Sequence, residues 1–203
     1  MRQDARHDSL APLAAAAAAG RRDAVAPLTR AALGAGCTPT EVREALLTLA
    51  PFCGFPRTLD AVAEARPLLG EAPAPEADGT AWPARGASFF DRVYGGDADR
   101  VRAGLASLDL DVARWIEEDA YGKALSRPGI SASLRERIGV VLLAAQGLRN
   151  QLKGHVRGAM NCGASAEEVT AFLDAAAPFL PPAELAFAKE TVSRAAAGAT
   201  SGP

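Results

Sequence analysis

The sequence predicts an all-α protein in which two helical units pack as one composite domain. Three observations predict it. Apolar residues make up 49% of the 203 positions, yet aromatics supply only 5%, alanine is abundant and β-branched residues are scarce. Alanine loses no side-chain entropy on entering a helix, so such a composition favours closely packed helices over sheet. Glycines also recur at helix-length intervals, and one half of the chain repeats the other. A chain of this length can bury a full core as one sizeable domain or as two small units packed together.

The repeat is found by laying Leu13 to Ala61 over Val140 to Ala188 without a gap. Ala17-Ala18 then meets Ala144-Ala145, Gly20 meets Gly147, Arg30 meets Arg157, Ala32 meets Ala159 and Gly36 meets Gly163. Further on, Glu41-Val42 meets Glu168-Val169, Leu46 meets Leu173, and Ala50-Pro51-Phe52 meets Ala177-Pro178-Phe179. Glycines and a proline held in register are the mark of a repeated structural unit.

Taken in order, residues 1–8 form a tail and residues 9–70 the first unit. That unit reads as helix, glycine turn, helix, glycine turn, helix. Gly20 and Gly36 suit the left-handed residue that closes a helix, as Gly147 and Gly163 do in the second unit. Thr38 or Thr40 and Ser165 are N-cap candidates, with Glu41, Glu167 and Glu168 in the first turn facing the positive helix end. Leu46, Leu49 and Phe52, and likewise Val169, Phe172, Leu173 and Ala176, recur at helical spacing and mark core faces. Glu71 to Gly86, EAPAPEADGTAWPARG, reads as a non-helical linker because of its prolines and glycines. Residues 87–199 hold the second unit, preceded by two or three amphipathic helices carrying Phe89-Phe90, Val93-Tyr94, Val101, Leu105, Leu108, Val112, Trp115-Ile116 and Tyr121. The closing AAAGATSGP, with residues 200–203 as its end, reads as a second tail.

Several function classes are excluded. A net charge of -2, from 22 basic and 24 acidic residues spread along the chain, makes no field able to hold a polyanion, so nucleic acid is not expected as a partner. Cys37, Cys53 and Cys162 are widely spaced with no C-x-x-C, which writes neither a disulfide framework nor a metal site; they read as small buried residues. The opening MRQDARHDSLAPLAAAAAAG differs from a secretory signal in having Asp4 and Asp8 in its charged region and only alanine in its apolar run. No stretch is long and apolar enough to span a bilayer. A cytoplasmic protein is expected.

The segment AYGKALSRPGISASLRERIGVVLLAAQGLRNQLKGHVRGAMNCGASAEEV carries a Tyr-Gly pair before an Arg-Pro-Gly turn and an Arg-Glu opening a long helix. A Gln-Leu-x-x-His helix and a Gly-x-x-x-Glu-Glu helix start follow. In the first half, TEVREALLTLAPFCGFPRTLDA contains the companion Gly54-Phe55-Pro56. On these motifs the chain resembles the carboxymuconolactone decarboxylase family, which shares its fold with alkylhydroperoxidase D. The resemblance implies an alkylhydroperoxidase D-like helical fold, no metal and no organic cofactor, a small carboxylated substrate, and a homotrimer in which two units per chain reproduce a six-unit ring. In the peroxidase branch a C-x-x-C pair precedes the histidine, at positions that correspond here to Leu148 and Gln151. Without those thiols the disulfide-based peroxidase mechanism is absent. The first unit has Ala24 and Leu28 where the second has Gln151 and His155, and the second has Pro181-Pro182 in place of the Gly-x-Pro.

The candidate catalytic residues are therefore His155, Glu136 and Gln151. Gln151 and His155 are four apart and share a helix face, together with Leu148. If the helices fold back antiparallel at Gly147, a rise of about 1.5 Å per residue puts Glu136 and His155 on the order of 5 Å apart along the axes. A carboxylate there fixes the imidazole tautomer and makes it a usable proton donor and acceptor. The family's reaction, as the resemblance implies it, loses carbon dioxide from a carboxylated unsaturated lactone and re-protonates the dienolate. His155 would move the proton, Glu136 orient it, and Gln151 bond substrate or water. The structural alternatives are a hydrogen-bonded interior histidine, a Glu136 solvated beside Arg135 or Arg137, and Phe52, Phe179, Trp82 and Trp115 as core or contact residues. His7, in the tail, is not expected to act. The rival functions are a non-catalytic oligomeric scaffold or binding module, and an antioxidant using Cys162 alone.

Overall fold

The computed structural model describes residues 5–71, 73 and 79–199. Every regular element among them is helical. In the first unit α1 spans Leu10–Ala18, α2 Arg22–Gly34, α3 Pro39–Leu47 and α4 Leu49–Leu69. An insertion follows, with α5 at Trp82–Tyr94, α6 at Ala98–Leu108, α7 at Leu110–Trp115 and a π-helix at Ile116–Leu125. The second unit contains α8 at Ala132–Ala145, α9 at Arg149–Asn161, α10 at Ala166–Ala176 and α11 at Pro182–Ala199.

Local chemistry explains the boundaries. Gly20, Gly36, Gly147 and Gly163 all take positive φ, the conformation that ends each helix with least strain. Thr38 and Ser165 begin α3 and α10 with matching capping boxes: each hydroxyl accepts from the N–H three residues on, and Glu41 or Glu168 accepts from the cap's own N–H. Gly54, at φ 76° and ψ 168°, breaks α4 into two pieces at the Gly-x-Pro motif. Helices α2 and α9 are both 13 residues long and occupy equivalent places in the two units.

Helix α1 is alanine-rich because it is buried all round: Leu10, Ala11 and Leu13 to Ala18 are almost inaccessible. Alanine permits α2, α4, α8 and α10 to close on it from both units, so a single core spans the two. A polar clasp joins them as well. Arg135, fully buried on α8, donates to Glu44 Oε2 at 3.1 Å, to Thr48 Oγ1 at 2.9 Å and to the Arg127 carbonyl at 2.9 Å. Arg127 donates to Glu44 from the other side at 2.9 Å.

The insertion builds a second, smaller core from Phe90, Val93, Tyr121, Leu125 and Cys162, and Phe52 packs against both cores. Helix α5 and the π-helix cross at Gly86 and Gly122. A Cβ on Gly86 would stand 2.1 Å from the Glu117 carbonyl oxygen, and one on Gly122 would stand 2.2 Å from that of Trp82. Only glycine lets these backbones meet.

Three sequence expectations are corrected. Trp82–Gly86, assigned to the linker, is the start of α5, because Pro83 in a first helical turn forfeits no hydrogen bond. Residues 72 and 74–78 of that linker lie outside the described residues. The described part of the first tail is anchored: Ala5–Ser9 is a 3₁₀ turn in which Arg6 and His7 bond Glu41 at 2.8 and 2.9 Å, and His7 is buried. The second tail is shorter than expected, since α11 continues to Ala199; residues 1–4 and 200–203 lie outside the described residues.

Candidate functional site

The α8–α9 hairpin turns at Gly147, where the Leu148 N–H donates to the Leu143 carbonyl at 3.0 Å and the Gly147 N–H to Ala144 at 3.2 Å. This closure sets the two helices antiparallel with Glu136 and His155 at the same level. Glu136 Oε2 and His155 Nδ1 are 2.7 Å apart, a short charge-assisted hydrogen bond. Both side chains are buried, Glu136 at 1% and His155 at 8% exposure. A carboxylate only accepts, so Nδ1 carries the proton and Nε2 is directed away from the acid. No described residue hydrogen-bonds Nε2, leaving it for a ligand or water.

The neighbours of the pair are apolar or aromatic. Phe52, from the last turn before the Gly54 break, stands edge-on to the imidazole with centroids 5.0 Å apart and planes at 71°. Two glycines make room. A Cβ on Gly139 would meet Phe52 at 2.9 Å and His155 Nδ1 at 3.5 Å, and a Cβ on Gly158 would meet Glu136 Oε2 and Val93, each at 2.7 Å. Glu136 Oε1 is buried without a hydrogen-bond partner among the described residues. Such an atom costs about 1–3 kcal/mol unless a ligand or water satisfies it.

Beside the acid lie Tyr94 and Tyr121, whose hydroxyls are 2.9 Å apart with Tyr121 donating. Burial pushes both phenols above their ordinary range, and the charge of Glu136 pushes them further. Burial likewise pushes the Cys162 thiol up to about 11, with Glu136 adding to the effect. Cys53 is also pushed up to about 11 by burial. Neither thiol is a ready nucleophile at neutral pH.

Of the residues the sequence singled out, the structure brings Glu136 and His155 together and does not bring in Gln151. Gln151 lies one turn before His155 on α9, is exposed, and hydrogen-bonds neither of them. Leu148 is exposed as well. Glu136 is not the solvated partner of Arg135, which turns to Glu44 instead. The pattern Gly154-x-x-x-Gly158 on α9 is the sequence signal for the close approach of α5, whose Tyr94 and Val93 lie against these two glycines. In the first unit Ala24 and Leu28 stand at the places of Gln151 and His155, and Ser9 at that of Glu136. Among the described residues no three or more histidine, cysteine or acidic side chains are gathered as a metal site. No described helix is long and apolar enough to cross a membrane.

An all-α double unit holding a buried imidazole–carboxylate pair at a helical hairpin defines an alkylhydroperoxidase D-like protein that lacks the thiol pair. The chain belongs to the Carboxymuconolactone decarboxylase family, which it matches over residues 3–67 and 111–193, one segment in each half and leaving out most of the insertion. It is similar to "Peroxisomal protein 2" of Schizosaccharomyces pombe, with 31% identity over 175 residues and 80% of each chain covered.

Proposed function

We propose that the chain is a tandem member of this family in which the second unit is catalytic, performing cofactor-independent decarboxylation or lactone isomerisation of a small carboxylated substrate. The observation that carries this reading is the buried 2.7 Å bond between Glu136 and His155. In the decarboxylation, the bond from the ring carbon to the carboxylate breaks, carbon dioxide leaves, and the electron pair enters the conjugated carbonyl as a dienolate. His155 takes a proton from water at Nε2 and gives it to the dienolate carbon, Glu136 balancing the ring while it carries both protons. Glu136 holds the ring by Nδ1 so that Nε2 faces the substrate. Gln151, at the exposed start of α9, would bond the substrate or a water as it enters. The substrate's own carbonyl is the electron sink, so the reaction calls on no metal or organic cofactor.

The antioxidant alternative is disfavoured by chemistry, because a Cys162 thiol pushed up to about 11 supplies little thiolate at neutral pH. The scaffold alternative has one observation in its favour, the exposure of Phe55, Leu59, Leu108 and Leu110. That feature also supports a homotrimer, in which such side chains would be covered. A cytoplasmic location remains part of the reading; three free thiols suit a reducing compartment, while the name of the yeast relative places that protein in the peroxisome.

The test is carbon dioxide release from a carboxylated muconolactone by the wild-type chain and by His155→Gln. The variant is expected to lose at least about a hundredfold in turnover, the usual weight of a general acid or base, while keeping its helical spectrum and melting cooperatively. Full turnover in the variant would refute the role of His155.

A further inference from the structure

Two incomplete hydrogen-bonding groups lie buried beside each other at the reactive pair. Glu136 Oε1, on a side chain at 1% exposure, accepts from no described residue. The Tyr94 hydroxyl accepts from Tyr121 at 2.9 Å, so its own proton is free for a different acceptor, and no described residue takes it. One group lacks a donor and the other an acceptor.

The packing of α5 on α9 brings them to the same place. Val93 Cγ1 and Glu136 Oε2 each stand 2.7 Å from where a Cβ on Gly158 would be, and one turn earlier Tyr94 Cε1 stands 3.7 Å from that position on Gly154. Asn161 Nδ2 pins this segment to α9 by donating to the Val93 carbonyl at 2.8 Å. Burial pushes both phenols and the Cys162 thiol up, and the Glu136 charge adds to each shift, so the carboxylate lies among these three groups. Cys162 is a weak donor and turns to Arg92. The tyrosine pair is rigid: Phe90, fully buried, lies behind both rings at 4.4 and 4.9 Å between centroids, and the glycine crossing of α5 and the π-helix fixes one element on the other. Tyr94 and Glu136 make no direct hydrogen bond, and one water is the shortest bridge between such groups. A buried water needs at least two polar partners, which Oε1 and the Tyr94 hydroxyl supply.

We propose that Tyr94 and Tyr121 are positioning residues for the reactive pair: Tyr121 donates to Tyr94, Tyr94 donates through one buried water to Glu136 Oε1, and this chain draws negative charge away from the oxygen that holds His155 Nδ1. A hydroxyl that itself receives a hydrogen bond is polarised and donates more strongly, which is the part of Tyr121. With Oε1 occupied, only Oε2 serves the imidazole, and the ring keeps its orientation. Because Oε2 then binds the imidazolium less tightly, the ring gives up its Nε2 proton more readily. The inference rests on the reading of His155 as the proton donor. Tyr94 comes from the stretch that the family match leaves out and Tyr121 from within it, so the insertion tunes a pair that the hairpin carries.

The test is the Nδ1 proton resonance of His155 in the full chain. There are two histidines, and His7 also bonds a carboxylate, so the resonance is assigned by its loss in His155→Gln. In Tyr94→Phe, which keeps the ring and removes the hydroxyl, the resonance should move further downfield as charge returns to Oε2. Tyr121→Phe should move it the same way by less. Turnover of a carboxylated muconolactone by Tyr94→Phe should fall about three- to tenfold in kcat with KM held within about twofold, because the proton and not the substrate is affected. A resonance in Tyr94→Phe that stays in place or moves upfield overturns the proposal, as does a high-resolution crystal structure with no water between Tyr94 and Glu136. Should Tyr94→Phe not fold, the resonance in Tyr121→Phe decides by the same signs. Absence of turnover in the wild-type chain, or full turnover in His155→Gln, defeats the proton-donor reading instead, and the resonance still decides whether the hydroxyl chain reaches Glu136.

Discussion

Gly158 is the residue on which the site geometry turns most sharply. Its missing side chain is the space that the Glu136 carboxylate and the Val93 methyl occupy together. Alanine is the better helix former by about 1 kcal/mol, so an exposed glycine would tolerate the exchange. Here both neighbours are held, one by His155 and the other by the packing of α5, and neither is the free end of a flexible chain. Gly158→Ala is expected to destabilise the fold by about 1–3 kcal/mol, the range for overpacking. Urea unfolding measures that cost, and it should come with a loss of turnover because the carboxylate is displaced. A variant as stable and active as wild type would show that the gap between α8 and α9 is not tight. Gly139 plays the same part for Phe52, which explains two glycines on facing helices close to the Glu136–His155 pair.

At the scale of elements, the units are tied by polar contacts in places the apolar pattern does not reach. Arg6 and His7, in the first 3₁₀ turn, converge on Glu41 at the start of α3. Burial by itself would raise the Glu41 carboxyl, but hydrogen bonds from Arg6, Thr38 and His7 outweigh it and lower the group to about 2. A carboxyl depressed in the folded state stabilises the protein above its unfolded pKa, near 4.5, and that contribution is lost as pH falls from there toward 2. Arg6→Ala removes the strongest of these bonds and lets the folded-state carboxyl rise toward 4.5, so the variant should be less stable than wild type at pH 7 to 8 and lose less stability between pH 4.5 and 2, the gap between the two narrowing as pH falls. Thermal melts from pH 2 to 8 read this directly; a gap that stays the same at every pH would show the first turn to be unimportant for the Glu41 carboxyl. The clasp of Arg135 and Glu44 between α8 and α3 is a deeper version of the same device. There the buried charges are matched to each other and to carbonyls, which is the condition under which burial is tolerated.

For the whole molecule, the relevant fact is that the two units share one core around α1. Neither unit covers its apolar helices alone, and even together they leave Phe55 and Leu59 on α4 at 78% and 70% exposure. These side chains follow directly on the Gly54 break that positions Phe52 against His155. Covering them with further copies of the chain would also screen that end of the site from water. Sedimentation velocity is expected to give three chains per particle, and Phe55→Asp to shift the distribution toward single chains without unfolding them, since the side chain makes little of its own chain's core. A monomeric wild type at micromolar concentration would dispose of the trimer.

Much of this was legible in the chain, and the reason is local. Gapless recurrence of Gly20 with Gly147 and of Gly36 with Gly163 located the helix ends, because a positive φ is a demand of the backbone that one residue type meets. Thr38 and Ser165 were legible for the same reason, since a cap bonds within its own turn. The pairing of Glu136 with His155 could be counted from the Gly147 turn, as helical rise is uniform. What the sequence could not settle depends on groups far apart in the chain. The burial of His7, the helical state of Trp82–Gly86, the exposure of Gln151, and the meeting of Tyr94 with Tyr121 beside Glu136 are all decided by which helix packs on which. Sequence alone thus determined the all-helical class, the helix ends marked by glycines and caps, and the pairing of Glu136 with His155, through contacts made within a turn or a hairpin. The tertiary structure alone decided the depth of that pair and its aromatic and glycine surround, because burial is a property of packed neighbours and has no period in the chain.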